Sequence, residues 1–519
     1  MNQADTSTPD EPTGTSPTTA GPGRKDRTQR RRWRILLLGG VLAVALVTMG
    51  ITALLINILE RRTEGQEVAY TVAKLTEESY DPAEWGKNFP IQYDQWLKTK
   101  EMEPTTHGGS RPIEITMPDG KTRIATESRI EHDPRLVTMW TGYPFSVDYR
   151  EARGHAYMLE DQQLTRRVSE FKQPGTCLNC HASTVPIMKE LGKGDIQAGF
   201  HAMNKLPYEQ ASKMAKHPVA CIDCHDPKTM ALRITRPAFM TGIAEFKKTQ
   251  GVTDYDVNRD ASPQEMRNFV CAQCHTEYYF EGESKTLRFP WAKGLQVDQI
   301  FADSTTHIDW VYPSTGTKML KAQHPEFDLA QQGVHAAAGV SCADCHMPYK
   351  REGAVKLSDH QIRSPMLMVN NACLSCHSAS EKDMTARVKV IQDRFVHSRD
   401  VAMDALMDLI KDLEVAQTDG TPKDRIEVAR SYHRKASFFI DYLYSENSYG
   451  FHAPGESLRV FNDAVDAARR GQMALQGKVT EPAEKDGPDQ SGPAPKPIAA
   501  AKPAPNAAAP TAAPTQASP

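Results

Sequence analysis

The sequence predicts a mainly α-helical protein with few short strands, in which short helices and loops fill the middle of the chain and long helices follow. Two observations predict this fold class. All ten cysteines fall between Cys177 and Cys376, in five copies of one short pattern. Beyond residue 380, apolar residues recur every three to four positions, over stretches long enough for helices of several turns.

The repeated pattern is Cys-x-x-Cys-His, and no cysteine is left over. Its copies are Cys177–His181, Cys221–His225, Cys271–His275, Cys342–His346 and Cys373–His377, with second cysteines at Cys180, Cys224, Cys274, Cys345 and Cys376. Histidine supplies only 17 of 519 residues. Five chance occurrences after Cys-x-x-Cys therefore have a probability of about 4 in 10⁸.

Covalent haem explains this pattern chemically. Two thiols at this spacing bond to the two vinyl groups of one haem, and the adjacent imidazole reaches its iron. A zinc site would need two cysteine pairs per metal, a thioredoxin-like redox pair would occur once, and disulfides would not require the histidine. The sequence therefore predicts five covalent c-type haems and a multihaem cytochrome c fold, with short helices and loops around the haems and a role in redox chemistry.

Composition separates a folded part from polar ends. With 62 Lys and Arg against 65 Asp and Glu, the net charge is −3, which gives no electrostatic case for binding nucleic acid. Residues 1–34 are rich in Thr, Ser, Pro and Gly and end in a basic run, which predicts a disordered cytoplasmic tail. Residues 481–519 contain 10 Pro and 12 Ala, so residues 477–519 are predicted to form a disordered Pro/Ala-rich tail.

Residues 35–59 form an apolar stretch that is interrupted only by Thr48, Thr52 and Asn57 and is long enough to cross a bilayer. A cleaved signal peptide has a shorter apolar run that ends in small residues, whereas this run ends in Asn57-Ile-Leu-Glu-Arg-Arg. The sequence therefore favours an uncleaved single-pass membrane anchor. Because the basic flank stays in the cytoplasm, residues 60–519 are expected on the periplasmic or extracytoplasmic side, where haem is attached.

Residues 60–380 are predicted to form the pentahaem catalytic domain, and residues 381–476 long helices of the same globular unit. The first helix has an apolar face formed by Met384, Val388, Ile391, Phe395, Ala402, Leu406, Leu409 and Leu413. Thr421-Pro422 fits the cap and first turn of a second helix, whose apolar face is Ile426, Ala429, Tyr432, Ala436, Phe439 and Leu443. A shorter third helix starts near Pro454. Such faces pack either on the haem domain or on a second copy of the chain.

Twelve histidines remain outside the five motifs, at positions 107, 132, 155, 201, 217, 307, 324, 335, 360, 397, 433 and 452. A pure electron carrier closes both axial positions of each iron, which would use five of them. A catalytic haem leaves one axial position open for substrate. The number of histidines satisfies both schemes and does not choose between them.

Several segments, together with the order and spacing of the haem motifs, resemble one family, the ammonia-forming cytochrome c nitrite reductases. They are Arg153-Gly-His155-Ala-Tyr157, Cys274-His275-Thr-Glu277-Tyr278-Tyr279-Phe280, Lys321-Ala-Gln323-His324-Pro325-Glu326 and Phe451-His452-Ala-Pro454. The resemblance spans roughly residues 70–475. It implies six-electron reduction of nitrite to ammonium at the first haem, with electrons delivered by four haems that carry two histidines each.

The resemblance also implies the roles of individual residues. His181 would be the proximal ligand of the open haem, and the second ligands of the other haems would be His360 for Cys221/Cys224, His155 for Cys271/Cys274, His452 for Cys342/Cys345 and His335 for Cys373/Cys376. The catalytic pocket would contain Arg167, Tyr278 and His324. The arginine is chosen between Arg166 and Arg167 by counting twelve residues from His155. An arginine suits an anionic substrate, and a tyrosine and a histidine can supply protons.

A calcium ion beside the pocket is a further implication of the resemblance. Its ligands would be the Glu277 carboxylate, the backbone carbonyls of Tyr278 and Lys321, and the side-chain oxygen of Gln323, which are the hard oxygen donors that calcium prefers. Many family members have lysine at the end of the first motif, whereas this chain, like a subset of the family, has His181. Because amine and imidazole ligands donate electron density differently, this departure bears on the potential of the first haem.

The expected partners follow from the same resemblance. The electron donor would be a membrane quinol-oxidising cytochrome or a small soluble cytochrome, and the long C-terminal helices would form a homodimer. Two other functions stay open on the sequence: a membrane-tethered electron-transfer cytochrome without its own catalytic site, and a reductase of a related small substrate such as hydroxylamine, nitric oxide or sulfite.

Overall fold

A computed structural model describes residues 24–64, 71–117, 120–353 and 355–483. The chain divides into two units, Met1–Thr71 and Val72–Pro519. The predicted tails therefore lie largely outside the described residues, which omit 1–23 and 484–519.

The first unit contains one long helix, α1 (Arg24–Glu64). Within it, Arg31–Ile58 has a mean hydropathy of 2.4, and its side chains are exposed along the whole segment. Such a helix could span a membrane by length and composition, as a single-pass anchor or as a signal sequence. The helix also includes residues 24–34 of the tail that was expected to be disordered, since extending an existing helix costs far less than starting one.

The second unit has short helices throughout the region of the haem motifs, as the sequence predicts. Six precede the first motif, α2 to α7: Pro82–Gly86, Pro90–Leu97, Arg129–His132, Arg135–Met139, Met158–Leu164 and Arg166–Ser169. Thirteen more, α8 to α20, follow: Leu178–His181, Val185–Leu191, Ile196–Lys205, Tyr208–Met214, Cys221–Cys224, Pro237–Thr249, Val257–Asp260, Pro263–Ala272, Val297–Asp303, Glu326–Ala330, Val334–Ala337, Cys342–His346 and Val369–Ala372. Short 3₁₀ turns occur at Lys98–Lys100, Pro144–Ser146, Gly175–Cys177 and Pro365–Leu367.

Strands are few and short, and the described residues form four separate two-stranded antiparallel hairpins. They are β1–β2 (Ile113–Thr116, Thr122–Ala125), β3–β4 (Tyr279–Glu281, Thr286–Arg288), β5–β6 (Trp310–Val311, Lys318–Met319) and β7–β8 (Tyr349–Glu352, Val355–Ser358). Two of these hairpins flank the segments that resemble the catalytic family. β3 begins directly after Tyr278, and β6 ends two residues before Lys321.

Three long helices complete the unit: α21 (Glu381–Ala416), α22 (Lys423–Ser445) and α23 (Pro454–Leu475). The predicted apolar positions of α21 and α22 are buried, except Met384 and Ile391, which are half-buried. Helix α22 begins at Lys423, because Pro422 has the extended backbone of an N-cap and Thr421 donates to Asp419 instead of capping. From Tyr432 to Ser445 every residue of α22 is buried except Lys435, which is half-buried, so α22 is the central helix of this bundle.

Two main hydrophobic cores support the unit. One joins α21, α22 and α23 to α5, α16 and the β5–β6 hairpin. The other is built mainly on α8 to α15 and contains Phe239, whose ring contacts those of both Phe269 and Trp291. The motif region therefore has an aromatic core of its own, while the C-terminal helices support the loop that follows β6.

Candidate haem sites and catalytic pocket

Each Cys-x-x-Cys-His motif lies on or beside a short helical turn. Because the two cysteines of a motif are three positions apart, they lie on one face of the turn. All ten cysteines are free thiols, and none is disulfide-bonded. The described structure therefore presents five separate pairs of thiols, each followed by an imidazole, as covalent haem attachment requires.

Four histidine pairs face each other across a constant gap. Their ring centroids are 6.2 Å apart for His155–His275, 6.4 Å for His225–His360, 6.2 Å for His346–His452 and 6.2 Å for His335–His377. Since an imidazole nitrogen binds a metal at about 2 Å, two rings that share one metal have centroids about 6 Å apart. The residues present fit bis-histidine haems, and the pairs are those that the resemblance implies.

His181 of the first motif differs from the other four motif histidines. Its Nδ1 lies 3.0 Å from the carbonyl oxygen of Met158, which orients the ring. Among the described residues, no histidine ring stands opposite it at the spacing of the four pairs. Burial lowers the pKa of His181 to about 4, and the charges of His324 and Arg167 act on it in the same direction. Two of the predicted pocket residues are therefore in its electrostatic neighbourhood.

Interactions between cysteines of different motifs show which motifs are neighbours. Two pairs of thiols are close enough to affect each other: Cys274 and burial raise the pKa of Cys180, and Cys342 and burial raise the pKa of Cys271. Longer-range charge effects join Cys224 to Cys274, and Cys345 to Cys373. The third motif is thus adjacent to the first, second and fourth, and the fourth is adjacent to the fifth. The five sites therefore form one connected, branched set, and the first motif is one of its ends.

A buried ion pair connects three of the motifs. The side chains of Arg236 and Asp223 are 1% and 0% exposed. Arg236 Nη1 lies 2.8 Å from Asp223 Oδ1. Arg236 also donates to the carbonyl oxygens of Asn179 (2.6 Å) and Ala182 (2.9 Å), beside the first motif. Gln273 of the third motif donates to the backbone oxygen of Asp223 at 3.2 Å. The polar residues between the cysteines therefore fix the motifs relative to one another.

The two candidate arginines of the pocket point in different directions. Arg166 is 54% exposed and makes a two-pronged ion pair with Glu170, at 2.6 and 3.1 Å. The Arg167 guanidinium lies 4.2 Å from the centroid of the Phe145 ring, and its Nε donates to Thr165 Oγ1 at 3.1 Å. The charge of Arg167 acts on Cys177 and His181 of the first motif, whereas Arg166 is paired with Glu170 at the surface.

Tyr278 and His324 reach the same neighbourhood from separate loops. Burial raises the pKa of Tyr278 well above its usual value, with further increases from the thiols of Cys180 and Cys177. His324 is 39% exposed, and its Nδ1 lies 3.8 Å from Glu326 Oε1. Arg167, Tyr278 and His324 each interact electrostatically with the first motif, so the predicted pocket residues gather around it.

The predicted calcium ligands also come together. The backbone N–H of Gln323 donates to Glu277 Oε2 at 2.8 Å, and the Gln323 side chain contacts the Lys321 carbonyl oxygen at 3.3 Å. Burial raises the pKa of Glu277 well above its usual value, because a buried carboxylate is costly without a cation. The described residues contain no cluster of three His, Cys, Asp or Glu side chains that could hold a metal ion, and Glu277 is the only such side chain among the predicted ligands.

The loop that carries the predicted calcium ligands has a support that was not predicted. Lys321 is buried, and its Nζ lies 2.9 Å from Asp441 Oδ1 on α22 and 4.6 Å from the centroids of both Trp140 and Phe145. Asp441 also accepts the backbone N–H of Ala322 at 3.0 Å. The Phe145 ring thus contacts two cations, Lys321 and Arg167. The signal in the sequence was Asp441 itself, an acid within an apolar helix face.

Comparison with known proteins gives a consistent result. A family model described as Cytochrome c552 matches residues 81–516. The chain is 34% identical to a cytochrome c-552 of Parabacteroides distasonis over 85% of each chain, and 33% identical to one of Bacteroides thetaiotaomicron over 86% of each. A solved cytochrome c nitrite reductase from Desulfovibrio desulfuricans, described as a catalytic subunit with two calcium sites, is similar in fold. Its TM-score is 0.67 at 28% identity, over 79% of this chain and 88% of that one.

Proposed function

This chain belongs to the cytochrome c552 family, and we propose that it reduces nitrite to ammonium at an open c-type haem on Cys177 and Cys180. The other four haems relay the electrons. The likeness to the Desulfovibrio desulfuricans nitrite reductase supports this proposal. The observation that carries it is the contrast between four facing histidine pairs and His181, which has no such partner among the described residues.

The residues of the pocket suit this reaction. When bound, the haems supply the electrons and one iron with a free coordination position. Each nitrite takes up six electrons and eight protons and yields one ammonium ion and two water molecules. Arg167 holds the anion through its guanidinium, while Tyr278 and His324 donate protons to the oxygens as they leave.

The proposal predicts ammonium as the product. Haem-loaded full-length protein, supplied with nitrite and a reduced viologen dye, is expected to form one ammonium ion for every six electrons consumed. Electron paramagnetic resonance of the resting protein is expected to show one high-spin haem and four low-spin haems. No ammonium together with five low-spin haems would instead identify an electron-transfer cytochrome. Higher kcat/KM values for hydroxylamine, nitric oxide or sulfite than for nitrite would identify a different physiological substrate.

We propose that calcium binds at the Glu277 carboxylate, the carbonyls of Tyr278 and Lys321 and the Gln323 side chain. Glu277→Gln is expected to lower the affinity for calcium at least tenfold, because it removes the charged ligand of the site. Calcium retained after dialysis, measured by atomic emission, checks this expectation. Glu281→Gln is the control, since Glu281 is exposed on the strand that follows. Equal calcium content in the two variants would contradict the site.

We also propose that residues 35–59 anchor the chain in the membrane, with the haem-bearing region on the periplasmic side. The length and hydropathy of Arg31–Ile58 support an anchor. A membrane quinol-oxidising cytochrome or a small soluble cytochrome would supply the electrons. A homodimer through the C-terminal helices, residues 381–476, is part of the same proposal.

A further inference from the structure

The proposed haem-ligating histidines differ in what their second ring nitrogen contacts. In four of them Nδ1 contacts a neutral backbone carbonyl oxygen: His181 with Met158 (3.0 Å), His225 with Met230 (2.9 Å), His346 with Arg363 (3.1 Å) and His360 with Ser358 (2.8 Å). In two of them Nδ1 faces a carboxylate. Those two are His275, which faces Glu326, and His452, which faces Glu446.

Hydrogen bonds from Ser448 hold the Glu446 carboxylate in place beside His452. Its side chain is 0% exposed, and Oε2 accepts the hydroxyl of Ser448 at 2.8 Å and the backbone N–H of Ser448 at 3.2 Å. Oε1 lies 2.5 Å from His452 Nδ1. The two atoms meet within hydrogen-bond distance but not at a hydrogen-bond angle, and neither has another hydrogen-bond partner among the described residues. The free oxygen and the ring nitrogen are therefore available only to each other.

Glu326 is held in a comparable way, between two histidines. Its side chain is 11% exposed, and Oε1 accepts from Asn447 Nδ2 at 2.5 Å. Oε2 has no hydrogen-bond partner among the described residues and lies 3.8 Å from His275 Nδ1. Oε1 is also 3.8 Å from Nδ1 of His324 in the proposed pocket. One carboxylate thus faces both a ligand of the third haem and a catalytic side chain.

The charge of the partner matters to a bound metal. When a metal-bound imidazole gives its other N–H to a carboxylate, the ring becomes a stronger donor and stabilises the oxidised metal, whereas a backbone carbonyl does so less. We propose that Glu326 and Glu446 are positioning residues that lower the reduction potentials of the haems on Cys271/Cys274 and Cys342/Cys345. The haem on Cys221/Cys224 is the internal reference, because both of its histidines face backbone carbonyls. This inference rests on the ligand pairs of the proposed function.

Two substitutions in the full-length, haem-loaded protein test this inference without nitrite. In a redox titration followed by optical and electron paramagnetic resonance spectra, Glu326→Gln and Glu446→Gln are each expected to raise the potential of one low-spin haem. At a fixed potential the ratio of reduced to oxidised haem at that site should rise about tenfold, which is about 59 mV for a one-electron couple. The haem on Cys221/Cys224 should keep its potential in both variants.

Controls separate the charge of the carboxylate from a structural role. Glu326→Asp and Glu446→Asp keep the charge and should shift the potential less than the Gln variants do. Glu209→Gln, at an exposed carboxylate paired with Lys213, should shift none. A structural opening admits water and favours the oxidised iron, so it lowers the potential instead of raising it.

Unchanged or lowered potentials in both Gln variants, or equal shifts in the Asp and Gln variants, would overturn the inference. If Glu326→Gln does not assemble, Glu446→Gln decides alone, since the described structure shows no contact of Glu446 with Arg167, Tyr278 or His324. The titration is independent of ammonium formation, so a failure of this inference and a failure of the proposed function give different results.

Discussion

Replacing Arg167 by methionine is expected to lower kcat/KM for nitrite by about 100- to 1,000-fold, the usual loss when one charged donor to a developing anion is removed. Arg167 lies over Phe145, and its charge acts on the Cys177 thiol of the first motif, which places it where an anion at that motif would be bound. Steady-state kinetics with a reduced dye measure the effect. The high-spin signal should persist, because Arg167 is not a haem ligand in the proposed scheme.

The adjacent arginine gives a matched control for this prediction. Arg166 pairs with Glu170 at the surface, so Arg166→Met should change kcat/KM less than about twofold. Arg167→Lys should fall between the wild type and Arg167→Met, since lysine keeps the charge but not the planar fork. A large loss in Arg166→Met with normal activity in Arg167→Met would show that the other arginine holds the substrate.

Replacing Arg236 by methionine is expected to lower the free energy of unfolding by about 3–5 kcal/mol, because it leaves the carboxylate of Asp223 buried without its partner. The loss of stability should extend to the haem region, since Arg236 also donates to the carbonyl oxygens of Asn179 and Ala182 beside the first motif. Guanidinium unfolding followed through haem absorption measures it. A decrease below 1 kcal/mol would contradict the role assigned to this pair.

Two further variants separate charge from packing at this position. Arg236→Met combined with Asp223→Asn removes both charges and should recover part of the loss, because no unpaired ion stays buried. Arg259→Met breaks an ion pair with Asp260 in which the arginine is 58% exposed, and should cost less than about 0.5 kcal/mol. Equal losses in Arg236→Met and the double variant would attribute the effect to packing alone.

Much of the haem region could be predicted from the sequence, because its chemistry is local. Two cysteines and a histidine within five residues define a haem attachment site regardless of the surrounding fold. The apolar faces of α21 and α22 are similarly local, since helical periodicity alone places Leu406 and Leu409 inside. The N-terminal boundary of α22 was less well predicted, because Thr421 bonds to Asp419 in the turn instead of to the helix.

The pairing of the histidines and of the buried charges depends on contacts between distant parts of the chain. Twelve histidines were available as second ligands, and nothing local distinguishes His360 or His452 from His433, which is buried beside Thr317. Only the resemblance to a family implied the pairs that the structure brings together. The Arg236–Asp223 pair and the carboxylates of Glu326 and Glu446 had no signal in the sequence, because each partner looks like an ordinary surface charge until the fold brings the two together.

The facing imidazoles carry a consequence for how the molecule matures. His225 faces His360, and His346 faces His452, which lies two residues before helix α23. Because synthesis starts at the N-terminus, the second motif gains its partner histidine only after two later motifs have been made. The fourth motif gains its partner only when residue 452 has been made. In the proposed scheme, ligation of these two haem irons would therefore be completed late in maturation, and a chain cut short before residue 452 would leave the fourth motif with a single imidazole.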